Sequence, residues 1–111
     1  MFWVFSGAAA QTTFQVQIGQ ASPNEVSESI ALACDGGYVV VADNYVVKLR
    51  PDGSIQWQTA LRIDPAQSSD SIYLSRVVRT QDGGYAVAGE LWQGLTQDIY
   101  LAKLDDTGLI Q

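Results

Sequence analysis

The sequence predicts an all-β protein assembled from two copies of one four-stranded antiparallel unit. Three observations lead there. The phrase Asp35-Gly36-Gly37-Tyr38 returns as Asp82-Gly83-Gly84-Tyr85. The text that follows it recurs too, Tyr45-Val46-Val47-Lys48-Leu49-Arg50 and Pro51-Asp52-Gly53 matching Tyr100-Leu101-Ala102-Lys103-Leu104-Asp105 and Asp106-Thr107-Gly108. No segment of useful length carries a helical period, whereas short β-branched or alternating apolar runs flank each Gly-containing turn.

Strand one of the unit is Ser29 to Ala33 in the first copy and Arg76 to Thr80 in the second, with Ile30 matching Val77. It ends at Asp-Gly-Gly, where paired glycines supply the positive φ of a tight hairpin and the Asp carboxylate can accept from neighbouring amides. Strand two is Tyr38 to Ala42 or Tyr85 to Gly89, small or β-branched throughout, which suits a strand covered on both faces. Strand three is Tyr45 to Arg50 or Ile99 to Asp105. A second turn follows, closed by Gly53 or Gly108. Strand four is Ile55 to Leu61, with Ile55, Trp57, Thr59 and Leu61 expected on one face. Phe14-Gln15-Val16-Gln17-Ile18 alternates in the same way and reads as another copy of that strand, putting Phe14 on Trp57.

Asp35 to Asp82 spans 47 positions and Gly53 to Gly108 spans 55, so the second copy carries eight extra residues. They are Glu90 to Gln97, and because the flanking strands stay in register they are expected in a loop.

The first residues allow two readings. Phe2-Trp3-Val4-Phe5 running into Ser6-Gly7-Ala8-Ala9-Ala10 looks like the end of a secretory leader, without a basic start and with a short apolar core. The same stretch aligns without gaps to the later repeat, Phe2 on Tyr45 and Val4 on Val47. The chain thus divides into 1–12, leader-like or a worn repeat; 13–66, a first unit preceded by an orphan outer strand; and 67–111, a second unit lacking its outer strand.

Composition narrows function. A 111-residue chain with 47% hydrophobic residues has room for one small core. Its formal charge of −6, with only 6 Lys and Arg scattered singly, disfavours nucleic acid and anionic membrane surfaces. No run approaches the roughly 18 apolar residues of a membrane helix. The absence of His removes imidazole acid/base chemistry, and one Cys cannot form an internal disulfide. Cys34 aligns with Gln81 and lies beside Asp35, a setting that does not activate a thiol.

A unit of about 40 to 50 residues with four antiparallel strands, the middle ones apolar on both faces, has the signature of a β-propeller blade. The copies resemble the Asp-Gly-Gly-Tyr repeats of secreted bacterial and archaeal β-propeller proteins, quinoprotein-type propellers among their relatives. The second copy carries the resemblance through Asp82-Gly83-Gly84-Tyr85, Gly89, Asp98, Tyr100, Lys103-Leu104-Asp105, Gly108 and Ile110. The first departs at Ala42-Asp43, where Gly is the pattern, and at Arg50, where Asp is. The resemblance covers Val16 to Gln111 and implies a fold and a secreted or cell-surface setting, with no shared catalytic site.

Closed propellers hold about 4 to 8 blades, and isolated blade pairs leave two apolar faces in water. The strand order reads four, one-two-three-four, one-two-three. The expectation is therefore a homo-oligomer, a ring or a filament, in which blades stack and the Phe14 to Ile18 strand completes a neighbour's last blade. The alternative is a fragment of a larger secreted propeller, which could be an enzyme with its active site elsewhere.

No catalytic residue is assigned and the chain is read as a non-enzyme. Asp35, Asp52, Asp82, Asp98, Asp105 and Asp106 are read mainly as turn formers, with calcium as the one cofactor they could take. Two such carboxylates at glycosidase spacing cannot be placed from sequence. Lys48 and Lys103, at the same repeat position, are expected to pair with nearby Asp. Trp57, matched by Phe14, is expected between blades, with sugar stacking the lesser role. The candidate ligand-binding loop is Trp92, Gln93, Gln97 and Asp98: an aromatic face beside amides and a carboxylate, suited to a carbohydrate ring. The alternative there is a lid of Leu91, Trp92 and Leu95 folded on the blade edge. The functional expectation is a binding or scaffold module, lectin-like or structural.

Overall fold

A computed structural model of the chain describes residues 2–5, 11–17, 27–63 and 70–111. Every regular element among them is a strand: β1 (Phe2–Phe5), β2 (Gln11–Phe14), β3 (Ser27–Leu32), β4 (Tyr38–Ala42), β5 (Tyr45–Leu49), β6 (Ile55–Ala60), β7 (Asp70–Arg79), β8 (Tyr85–Gln93) and β9 (Thr96–Leu104). They form an antiparallel hairpin β1-β2, a first sheet β3-β4-β5-β6 and a second sheet β7-β8-β9. All-β architecture with antiparallel sheets is what the repeat requires.

The two sheets repeat in register as well as in order. Ile30 lies opposite Val40 as Val77 lies opposite Val87, and Tyr38 faces Leu49 as Tyr85 faces Leu104. A bulge interrupts strand one at the same place in each copy, between Ser27 and Ser29 and between Leu74 and Arg76. The bridge Leu104 to Ile110 repeats the pairing of Leu49 with Ile55.

Four expectations change. The eight extra residues are not an open loop: they lengthen the β8-β9 hairpin, with Trp92 opposite Gln97 and Leu91 opposite Asp98, turning at Gly94-Leu95. Alternate backbone groups along this stretch find cross-strand partners, which a loop would leave to water. Strand β7 begins at Asp70, ahead of the expected Arg76, because the bulge breaks the alternation without ending the strand. A third bulge, at Gln56, sets Ile55 opposite Leu49 while Trp57 lies opposite Lys48. Opposite residues share a face and strand neighbours alternate, so Ile55 leaves the face of Trp57. Finally, the strand expected at Phe14 to Ile18 is Gln11–Phe14, paired with β1, while residues 15–17 lie outside any strand. Ile18, Met1 and the 6–10 part of the leader-like segment lie outside the described residues, as do 18–26 and 64–69.

The core lies between the two sheets. Val39, Val41 and Val46 of the first sheet, all without exposed surface, pack with Ile72, Leu74, Val77, Tyr85, Val87 and Leu104 of the second. Each sheet therefore has one face toward the other and one facing away. At about 25 cal/mol per Å² of apolar area, this shared layer is the main stabilising term. The faces that point away are apolar too. Ile30 and Leu32 are exposed on the first sheet, and Val78, Ile99 and Leu101 on the second.

Candidate functional site

The Asp-Gly-Gly turns build the same latch twice. Each is closed by backbone bonds, Ala33 N to Gly37 O at 2.9 Å and Thr80 N to Gly84 O at 2.9 Å. The two glycines do different work. Gly36 and Gly83 take positive φ of 86°. Gly37 and Gly84 do not, yet a Cβ on either would collide with the carbonyl of Leu49 or Leu104 and lie 2.7 or 2.6 Å from a Lys Nζ. The second glycine makes room for a lysine.

Lys48 Nζ donates to Asp35 Oδ2 at 3.0 Å, to Gln56 Oε1 at 2.9 Å and to Leu49 O at 3.1 Å. Lys103 Nζ repeats this with Asp82 Oδ2 at 3.0 Å, Leu104 O at 3.2 Å and Gln111 Oε1 at 3.4 Å. The expected Lys–Asp pairs are therefore present. Gln56 and Gln111 were missed, although each stands three residues after its turn glycine; the Gln56 bulge turns the amide toward the lysine.

Donors around the carboxylates keep them ionised. The Gly37 amide, then Lys48, holds Asp35 below the ordinary carboxylate range. The Thr80 hydroxyl, then Lys103 and the Gly84 amide, holds Asp82 well below it. The second turns repeat in backbone and vary in side chain. Arg50 N donates to Ser54 O and Asp105 N to Leu109 O, both at 2.8 Å. In the second copy Asp105 accepts from Thr107 N and Leu109 N. In the first, Arg50 holds that position, and Asp52 accepts from Ser54 N instead. The departure at Arg50 is thereby compensated within the turn.

The contact between sheets is also repeated. Trp57 crosses from the first sheet to the second turn of the next. A Cβ on Gly108 would come within 2.6 Å of its ring, the indole ring stands 6.2 Å from Tyr85 at 59°, and Nε1 donates to Asp106 O at 3.2 Å. Thr59 Oγ1 donates to Gly108 O at 2.6 Å. One unit earlier, Phe14 stands in the same relation to the first sheet. A Cβ on Gly53 would meet its ring at 2.5 Å, and the ring lies 5.7 Å from Tyr38 at 63°. The Asp43-Asn44 turn, where the pattern has Gly, fastens the sheets further. Asp43, at φ 50°, accepts from Leu74 N of the second sheet at 2.7 Å, while Asn44 O accepts from Leu61 N at 2.8 Å within its own unit.

The four residues singled out as a ligand loop lie in the extended β8-β9 hairpin and fall on two faces. Trp92 and Gln97, opposite one another, share the outward face with the Glu90–Ile99 pair; Gln93 and Asp98 take the other. The indole of Trp92 donates to Glu90 Oε2 at 3.2 Å, a partner the sequence reading omitted. A shallow concavity of ≈ 660 Å³ beside it is lined by Gly89, Glu90, Gln97, Asp98 and Ile99. The lid alternative does not hold for Leu95, which is fully exposed at the tip. Cys34 is an exposed free thiol. Among the described residues, no three Cys, Asp or Glu side chains gather as a metal site.

Comparison with protein-family models, with curated proteins and with solved structures finds no match to this chain.

Proposed function

We propose that this chain is a non-catalytic β-propeller module of the cell exterior, whose two sheets are blades and whose work is to bind and to scaffold. The observation that carries the reading is the recurrence of one inter-sheet contact: Phe14 on Gly53 and Tyr38, then Trp57 on Gly108 and Tyr85. A contact used twice in a row is a stacking rule, and stacking continues until a ring closes or a filament grows. The apolar outward faces, Ile30 and Leu32 at one end and Ile99 and Leu101 at the other, fit surfaces that further copies cover. The secreted or cell-surface setting comes with the Asp-Gly-Gly-Tyr resemblance.

Solution mass tests it. Native mass spectrometry or sedimentation should return a whole multiple of the chain mass. A stable, monodisperse single chain overturns the reading, and heterogeneous aggregation favours a piece of a larger propeller instead.

For the ligand, the outward face of the long hairpin supports a carbohydrate. Trp92 offers a ring, Glu90 and Gln97 offer acceptors and an amide donor, and a saccharide ring presents both C–H and O–H groups. Glycan-array binding that falls at least tenfold in Trp92→Ala, with the melting temperature unchanged, is the expected result. Equal binding by wild type and variant would remove the proposal.

A further inference from the structure

We infer, resting on the carbohydrate reading above, that the saccharide taken by the long hairpin is an amino sugar without its N-acyl group, its ammonium held at Glu90 between the rings of Tyr73 and Trp92.

Register assembles the site. The middle strand here is β8. Glu90 lies opposite Tyr73 of β7 on one side and Ile99 of β9 on the other, and Trp92 lies opposite Ser71 and Gln97 in the same way. Opposite residues share a face, as do positions two apart on one strand, so these six side chains form two rows of three on the outward face of the hairpin. Glu90 thus has one aromatic side chain across the sheet and another one row along, both within the range over which sheet neighbours interact. The bulge between Leu74 and Arg76 lies below both rows and leaves their pairing intact. Glu90, Trp92 and Gln97 all belong to the eight residues that the first copy lacks, so the arrangement is particular to the second sheet.

What these groups have left to offer decides the ligand. The indole N–H of Trp92 is spent on Glu90 Oε2 at 3.2 Å, which fixes the ring beside the carboxylate. An ionised carboxylate only accepts, and this bond leaves Oε1 open. Among the described residues no lysine or arginine forms an ion pair with Glu90: Lys48 and Lys103 are held by Asp35 and Asp82, and Arg76, on the same face one row down, lies opposite Ala88. Tyr73 is 49% exposed, so its ring is open to a ligand. A carboxylate without a cation, flanked by two aromatic rings whose faces are negative, selects a cation that carries N–H donors. Ser71 and Gln97 alongside supply the donors and acceptors that ring hydroxyls use. The concavity of ≈ 660 Å³ that Glu90, Gln97 and Ile99 line is of small-ligand size. An N-acylated or neutral sugar would bring only uncharged donors to Glu90, whereas an ammonium brings the opposite charge.

The test is an array printed with gluco-, galacto- and manno-configured oligomers, each in free-amine, N-acetyl and hydroxyl form. The free-amine form of at least one configuration should bind about tenfold tighter than both its counterparts. Glu90→Gln, which keeps an acceptor for the indole, should level the three forms. Tyr73→Ile keeps a strand-forming side chain without the ring and should weaken free-amine binding about threefold. Asp106→Asn removes the same charge from the turn at the other end of β9 and should keep the preference. Glu90 and Tyr73 are exposed, so the variants are expected to fold, which thermal melting checks. Equal binding of the three forms, or a preference for an uncharged one, overturns the ammonium and leaves the carbohydrate reading standing. Binding to no glycan overturns both. A preference that survives Glu90→Gln, disappears in Asp106→Asn or extends equally to polylysine would belong to the net negative charge and overturns the site; Tyr73→Ile without effect overturns the pairing of the two rings around Glu90.

Discussion

Lys48 and Lys103 hold the same position in successive copies, and the neighbouring sheet is what distinguishes them: the side chain of Lys48 is 3% exposed and that of Lys103 is 32%. Both bind the Asp of their own Asp-Gly-Gly turn at 3.0 Å. Only the first does so beneath a covering sheet.

Removing the carboxylate should therefore matter unequally. Asp35→Asn leaves the buried ammonium with neutral acceptors only, Leu49 O and Gln56 Oε1 among them, and should cost about 2 kcal/mol, the range for a charged group that loses its charged partner at a half-exposed site. Asp82→Asn should cost less, because water reaches Lys103. Urea denaturation of the two variants side by side gives the comparison, and equal losses would contradict it.

Trp57→Ala should cost about 3 kcal/mol, the lower end for a large aromatic since the side chain is half-buried. Trp57→Phe should recover much of that, because Phe14 fills the matching position against Gly53. Chemical denaturation followed by far-ultraviolet circular dichroism measures both.

Gly108→Ala should lose about 2 kcal/mol. The residue sits at φ 88°, and a methyl group there would press on Trp57 at 2.6 Å. Combining it with Trp57→Ala should cost clearly less than the two losses added, since one change removes what the other collides with. Additive losses would show that the glycine serves its turn alone.

The repeat was readable because its signals are local. The bounds of Tyr38–Ala42 follow directly from a glycine turn on one side and polar Asp43-Asn44 on the other. The Lys–Asp latch followed from two copies agreeing on a position. What escaped the sequence depends on backbone irregularity. The bulge at Ser75 hid the first half of β7, and the one at Gln56 moved Ile55 to the other face and brought an amide to Lys48. The Glu90 to Gln97 insertion looked like a loop because insertions usually are. Its signal was Gly94, which takes φ 65° at the tip of the hairpin. The proposed ligand residues divide two and two between the faces, a distinction that only register provides.

Acid should loosen the protein through its turns. Asp35, Asp52, Asp82 and Asp105 are all held below the usual carboxylate range by amide, hydroxyl or lysine donors. A carboxyl depressed on folding stabilises the native state above its unfolded value, about 4, and that contribution is lost as pH falls further toward the folded value. The melting temperature should thus be level from about pH 7 to 5 and fall below about pH 4. The fall should be shallower in Asp35→Asn/Asp82→Asn, and differential scanning fluorimetry across that range would show it; an identical slope would place the acid-sensitive groups elsewhere.

The two hairpins between strands two and three differ in length: β4-β5 turns at Asp43-Asn44, and β8-β9 continues to Gly94-Leu95. In the proposed stack, a finger would stand out from every second sheet and from none between. Its spacing there would be two sheets, so the number of grips offered to the proposed carbohydrate would equal the number of chains, and avidity would rise with subunit count alone.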